Sequence, residues 1–175
     1  IAMTSLSYVR PEEHLAGGPV WRNQLLFEGV DLYENREGAS TDILHEYFVS
    51  EDRFLEFVAR LREIVPRHRG NLLNVTVRDV RADPDAFLRW ADRDLLALVM
   101  LFHQERTAAA DAAMQAMTRD LIDAAGELGG RYYLPYRPHA TVEQFDAAYP
   151  MGRAFFDAKR RLDPLGLFQN RFYER

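Results

Sequence analysis

Glu46 stands in the middle of residues 42–49 (DILHEYFV), between Leu44 and Phe48 in the alternation. A carboxylate on an otherwise apolar strand face costs desolvation free energy unless it is paired. It reads either as a sheet-edge glutamate in water or as a carboxylate that orients a substrate hydroxyl or pairs with Arg78. Arg78 itself alternates with Asn74 and Thr76 on one side of residues 72–80, with Leu73, Val75 and Val77 on the other. His139 lies in Tyr136-Arg137-Pro138-His139-Ala140-Thr141, where Pro138 stiffens the exit from the preceding strand. It is either a structural hydrogen-bonder or a side chain that can carry a proton to or from a hydroxyl. Tyr132, Tyr133 and Tyr136 form a cluster beside it, of the kind that packs its rings and lets its hydroxyls reach water.

Other chemistry is excluded or unsupported. The chain has no cysteine, so thiolate catalysis, disulfides and Cys-ligated metals are ruled out. Its five histidines show no HExxH pattern and no paired spacing for a metal. There is no P-loop, no nucleophile elbow and no GxGxxG, hence no dinucleotide fingerprint. With 22 Lys and Arg against 27 Asp and Glu, the net charge of −5 argues against a general nucleic-acid binder. The longest apolar run, residues 95–102, falls short of the roughly 18 residues of a membrane span. Tyr8-Val9-Arg10-Pro11 interrupts the first apolar stretch, so no signal peptide and a cytoplasmic location are expected.

The elements that must hold these residues can be placed by period. Residues 1–41 read as an irregular or helical segment, broken at Gly17-Gly18-Pro19 and apolar around Trp21 and Phe27. Residues 42–49 predict a strand, followed by Ser50 as N-cap and a helix ended by Pro66. Residues 72–80 predict a strand whose Leu73, Val75 and Val77 face the core. Asp83-Pro84 predicts the cap of a short helix through Trp90, and residues 95–102 a central strand apolar on both faces. A long helix over residues 107–128 stops at Gly129-Gly130, and residues 131–136 predict a last strand. The order of strands and helices is the split βαβ, ferredoxin-like arrangement of an α+β domain over residues 42–136. Both crossovers place their helices on one face, so the other, bearing Asn74, Thr76 and Arg78, is left open to water, a second copy or another domain. Residues 137–175 predict a helical tail: a capping box from Thr141 to Gln144, then a helix opened by Pro150 with Phe155, Phe156 and Leu162 on its apolar side.

The tail also carries a resemblance. GGRYYLPYRPHATVEQFDAAYP followed by FFDAKRRLDPLGLFQNRF resembles the end of FAD-linked oxidases of the vanillyl-alcohol oxidase superfamily. The branch is that of aldonolactone oxidases, alditol oxidase and decaprenylphosphoryl-ribose oxidase. LHEYFVSEDRFLEFVARLR is similar to the strand and helix that open their substrate domain. The resemblance implies a cap over a flavin held mainly by an N-terminal half that this chain lacks, and a small-molecule substrate oxidised at a CH–OH carbon. It implies Glu46 or His139 as the group that positions the hydroxyl, and Asn74, Thr76, Arg78, Tyr136 and Arg137 as substrate-binding side chains. Asn170, in the Asp163-Pro164 to Asn170 ending, is implied on the cofactor side. Ala140-Thr141-Val142 departs from the Trp-Gly-Lys that follows Arg-Pro-His in the lactone oxidases, and Tyr136 falls near a lysine position of decaprenylphosphoryl-ribose oxidase. The alternative is a non-enzymatic ferredoxin-like module that forms a homodimer through its open face.

Overall fold

The computed structural model describes residues 38–174. The N-terminal segment expected over residues 1–41 falls outside them as far as residue 37. The first strand, β1 (Ser40–Val49), leads through a 3-10 turn at Glu51–Arg53 into helix α1 (Phe54–Arg67). Strands β2 (Asn71–Val80) and β3 (Leu95–Glu105) follow, then helix α2 (Ala108–Glu127) and the two-residue strand β4 (Arg131–Tyr132). Helices α3 (Val142–Ala148) and α4 (Gly152–Leu162) make up the tail. The sheet order is β2-β3-β1-β4, with every pair antiparallel. This is the α+β, ferredoxin-like fold expected from the sequence.

The core lies between the sheet and the two long helices. Phe57, Leu61, Ile64 and Val65 recur at helical spacing and bury one stripe of α1. Met114, Met117, Leu121, Ile122 and Ala125 do the same for α2. Both meet Ile43, Tyr47 and Val49 of β1 and Leu98, Met100 and Phe102 of β3. Thr107 caps α2 by accepting from Ala110 N, and the helix closes through Gly129 at a φ of 68°. Gly130 has no room for a side chain, since a Cβ there would run into the Phe48 and Ala125 carbonyls.

Several local expectations are corrected. Pro66 does not end α1 but sits in its last turn, and the left-handed position after it is taken by Arg69. The Ser50 side chain makes no capping bond. No helix forms after Asp83-Pro84; Asp83 instead accepts from the Asp85 and Ala86 amides in an irregular segment. Strand β4 ends at Tyr132, not Tyr136, because the chain leaves the sheet after one antiparallel step. Pro150 precedes α4, which starts at Gly152, and Leu162 is exposed.

The largest correction concerns β2. Val75 and Val77 stand opposite Met100 and Leu98, on the helix side, yet they are exposed, as is Leu73. The helical layer packs over β1, β3 and β4, and an edge strand beyond its reach keeps both faces in water. A register shift between Leu72 and Asn74 bends the strand at the same place.

Candidate functional site

On β1 the odd-numbered residues face the helices and the even-numbered ones face the other side. The cross-strand register then fixes which side chains share that second face. Leu44, Leu101 and Asn74 form one row across β1, β3 and β2. Glu46, Val99 and Thr76 form the next, and Phe48, Ala97 and Arg78 the third. Glu46, Asn74, Thr76 and Arg78 therefore share one face, as their alternation requires. Glu46 and Thr76 are two strand spacings apart, about 10 Å for the backbones, and Arg78 lies one row further along the strand.

Glu46 is partly buried, and burial raises its pKa above the ordinary carboxylate value. The Arg78 charge and a hydrogen bond from Tyr136 pull it back in part. The Tyr136 hydroxyl donates to Glu46 Oε2 at 3.4 Å, while Tyr133 N donates to the Glu46 carbonyl at 2.9 Å. Both tyrosines come from the stretch that leaves the sheet after β4. Their rings meet edge to face at 5.1 Å, and Tyr133 meets Trp90 in the same way at 5.1 Å. A carboxylate, a phenol, a guanidinium and two small polar groups thus line one side of the sheet. Together they can orient a hydroxylated molecule and exchange a proton with it.

This face is open over only part of its length. Of the two residue sets on β3, it is Leu95, Ala97, Val99 and Leu101 that point toward it. Leu95 and Ala97 are buried under Phe48, Ala91, Trp90 and Tyr133. The cover comes from the irregular stretch between β2 and β3, so the expectation of a wholly uncovered face is corrected. Arg131 fastens this stretch by donating to the Arg89 carbonyl and to Asp92, each at 2.7 Å. Leu44, Asn74, Thr76 and Arg78 remain exposed.

The structure does not bring His139 to Glu46. His139 is 5% exposed and sits on the helix side. Its Nδ1 lies 2.9 Å from Thr118 Oγ1, whose hydroxyl donates to the Met114 carbonyl at 2.7 Å. That geometry makes Nδ1 the donor to Thr118. Of the two readings of His139, this geometry is that of a structural hydrogen-bonder, held on the other side of the sheet from Glu46. Arg137 stands between the two sides: it lines a small cleft with Glu46, Tyr133 and Tyr136, and it also lies 3.7 Å from Asp111 of α2 and lines a groove on the helix side. Asn170 is exposed and closes a turn by accepting from Tyr173 N.

Tyr133 belongs to the tyrosine cluster read from sequence, but Trp90 was not singled out for this face; its signal was a tryptophan among charged residues after Asp83-Pro84. His45 neighbours Glu46 in the chain but faces the helices, buried against Phe102 with its Nδ1 3.1 Å from the Tyr47 hydroxyl. Burial, then the charges of His139 and Arg137, push its pKa down to about 3, so it stays neutral. No group of described residues is arranged to hold a metal ion, and no helix among them is long and apolar enough to cross a membrane. Compared with known proteins, the chain matches no family model and no curated protein.

Proposed function

We propose that this chain is the C-terminal, substrate-facing part of an FAD-dependent oxidoreductase that oxidises the CH–OH group of a sugar-like or other polyol or hydroxy substrate. The observation that carries the reading is the convergence of Glu46, Tyr136 and Arg78, with Asn74 and Thr76, on one partly open sheet face. The described residues fit the substrate side of such a centre and not the nucleotide side. Their two left-handed glycines, Gly129 and Gly166, serve a helix stop and a tail turn and cradle no phosphate. The nucleotide would therefore be held by another part of the protein. FAD, when bound, would supply the hydride acceptor. Glu46 would take the hydroxyl proton at Oε2, a task that its raised pKa suits. Tyr136 would fix the carboxylate's orientation, and Arg78, Asn74 and Thr76 would hold the substrate's other oxygens. The exposed Leu165, Leu167 and Phe168 of the tail support the reading, since such a patch is what a partner domain removes from water.

The test uses the protein that joins this chain to a flavin-binding half. Polyols and hydroxy acids should bleach its oxidised flavin anaerobically, and Glu46→Gln should slow the bleaching at least tenfold. Unchanged bleaching in that variant would remove Glu46 from the reaction, and a full-length protein without flavin would end the proposal. A second reading rests on Leu44, 38% exposed on the same face beside Leu101: a non-enzymatic module that pairs with a second copy there. Sedimentation of the chain as a dimer that Leu44→Glu dissociates would favour it.

A further inference from the structure

A groove of about 370 Å³ lies on the helix side of the sheet, walled by the end of β4, by α3 and by the tail. It adjoins the small cleft beside Glu46 through the shared Tyr132 and Arg137, and its volume falls within the range of roughly 300–1,000 Å³ typical of small-ligand sites. One end is aromatic. The Phe145 and Phe172 ring centroids are 5.5 Å apart, those of Phe145 and Phe156 6.0 Å, and those of Phe156 and Phe172 5.9 Å. Three rings in mutual contact make a wall against which a flat apolar body can lie.

The other end holds two half-buried guanidinium groups. Arg119 uses its Nε on the His139 carbonyl at 2.9 Å, and among the described residues no carboxylate lies within ion-pair distance of it. Arg137 has only the long 3.7 Å approach to Asp111, itself an exposed side chain. The carboxylate on the lining, Asp146, is exposed at the rim. Two under-neutralised cations beside an aromatic wall, in a chain of net charge −5, stand out against the protein's own field. Partly desolvated guanidinium is an effective partner for a carboxylate because it offers paired donors in one plane.

We propose that this groove is a second binding site, for a small monocarboxylate with a flat apolar body. The ring lies against Phe145, Phe156 and Phe172, and the carboxylate meets Arg137 and Arg119. The proposal does not rest on the oxidoreductase reading: the groove shares Tyr132 and Arg137 with the small cleft beside Glu46, but its aromatic wall and Arg119 take no part in that cleft.

The test is a titration of the chain with benzoate, followed by amide chemical shifts and calorimetry, with benzamide as the neutral isostere. Expected are saturable one-to-one binding, shifts centred on Phe145 and Phe172, and at least tenfold weaker binding of benzamide. Arg137→Gln should weaken benzoate at least tenfold. Val142→Trp, at a 63% exposed position on the rim, should block the groove without touching the core. Unsaturable shifts would overturn the proposal. Equal affinity for benzamide would overturn the anion class, and shifts confined to Glu46 and Thr76 would move the ligand to the other face.

Discussion

The Tyr136 hydroxyl reaches Glu46 Oε2 across 90 positions of sequence, at 3.4 Å. The contact exists because β4 is short. The chain peels away after Tyr132 and carries Tyr133 and Tyr136 over the side of β1 on which Glu46 lies. The pairing sets the first prediction. Burial holds the Glu46 pKa above its ordinary value, with Arg78 and Tyr136 opposing. A carboxyl whose folded pKa is raised contributes stability below its unfolded pKa and loses it as pH rises through the folded one. Carbon-13 titration should place Glu46 above a model-peptide glutamate, and Tyr136→Phe should move it higher still. A midpoint at or below the ordinary value would make Glu46 a simply solvated edge residue.

Arg78 should be dispensable for folding. It lies exposed on an edge strand, opposite Ala97. Arg78→Ala is expected to cost about 0.5 kcal/mol or less in urea unfolding, while weakening substrate binding in the full oxidoreductase. A loss of several kcal/mol would show that Arg78 holds the fold together.

How much of this was legible follows from where each signal resides. The strand and helix order is written in local periods, so the fold class could be read from residues 42–136. The grouping of Asn74, Thr76 and Arg78 follows from alternation alone, and the cross-strand register adds Glu46 to their face. His139 could not be placed, because its partner is Thr118 of α2, and only tertiary packing brings the two together. The exposure of Val75 and Val77 was equally hidden: their alternation is that of a half-buried strand, but the helices do not extend to the sheet edge. The cover over Leu95 and Ala97 depends on Arg131 reaching back to Arg89 and Asp92, a link no local pattern announces.

His139 and His45 should act on stability. Replacing His139 by Ala leaves the buried Thr118 oxygen without its donor, at a cost of about 1–3 kcal/mol. Loss of activity with unchanged stability would instead return His139 to the catalytic group. His45, held down to about 3, stays neutral in the fold. A histidine with a depressed folded pKa contributes stability above its unfolded pKa, and that contribution is lost as pH falls toward the folded one. From about pH 6 down toward 3, the wild type should lose roughly 1.4 kcal/mol per pH unit more than His45→Gln. Parallel curves for the two proteins would show that His45 does not titrate in this way.

The last prediction concerns the cover over the Glu46 face. Trp90 stacks on Phe48 at 6.3 Å and meets Tyr133 edge to face, so it backs the Tyr133 ring, which lines the cleft beside Glu46. The stretch is held by the packing of Trp90 and Ala91 and by a few hydrogen bonds and ion pairs. Arg131 joins it to β4, and Arg93 joins it to the end of α2 through the Gly129 carbonyl at 2.7 Å. Within it the Asp83 amide donates to the Ala91 carbonyl at 2.9 Å. Arg131→Met keeps the aliphatic stem and removes the donors, so the sheet should survive while the stretch opens more often. Local openings of this kind appear in amide exchange before they appear in global unfolding. Exchange at Asp83 should therefore quicken at least tenfold in Arg131→Met, with the Leu98 and Met100 amides unchanged. Equal quickening at all three would mean that Arg131 stabilises the whole domain, and unchanged exchange at Asp83 would show that Trp90 packing alone holds the cover in place.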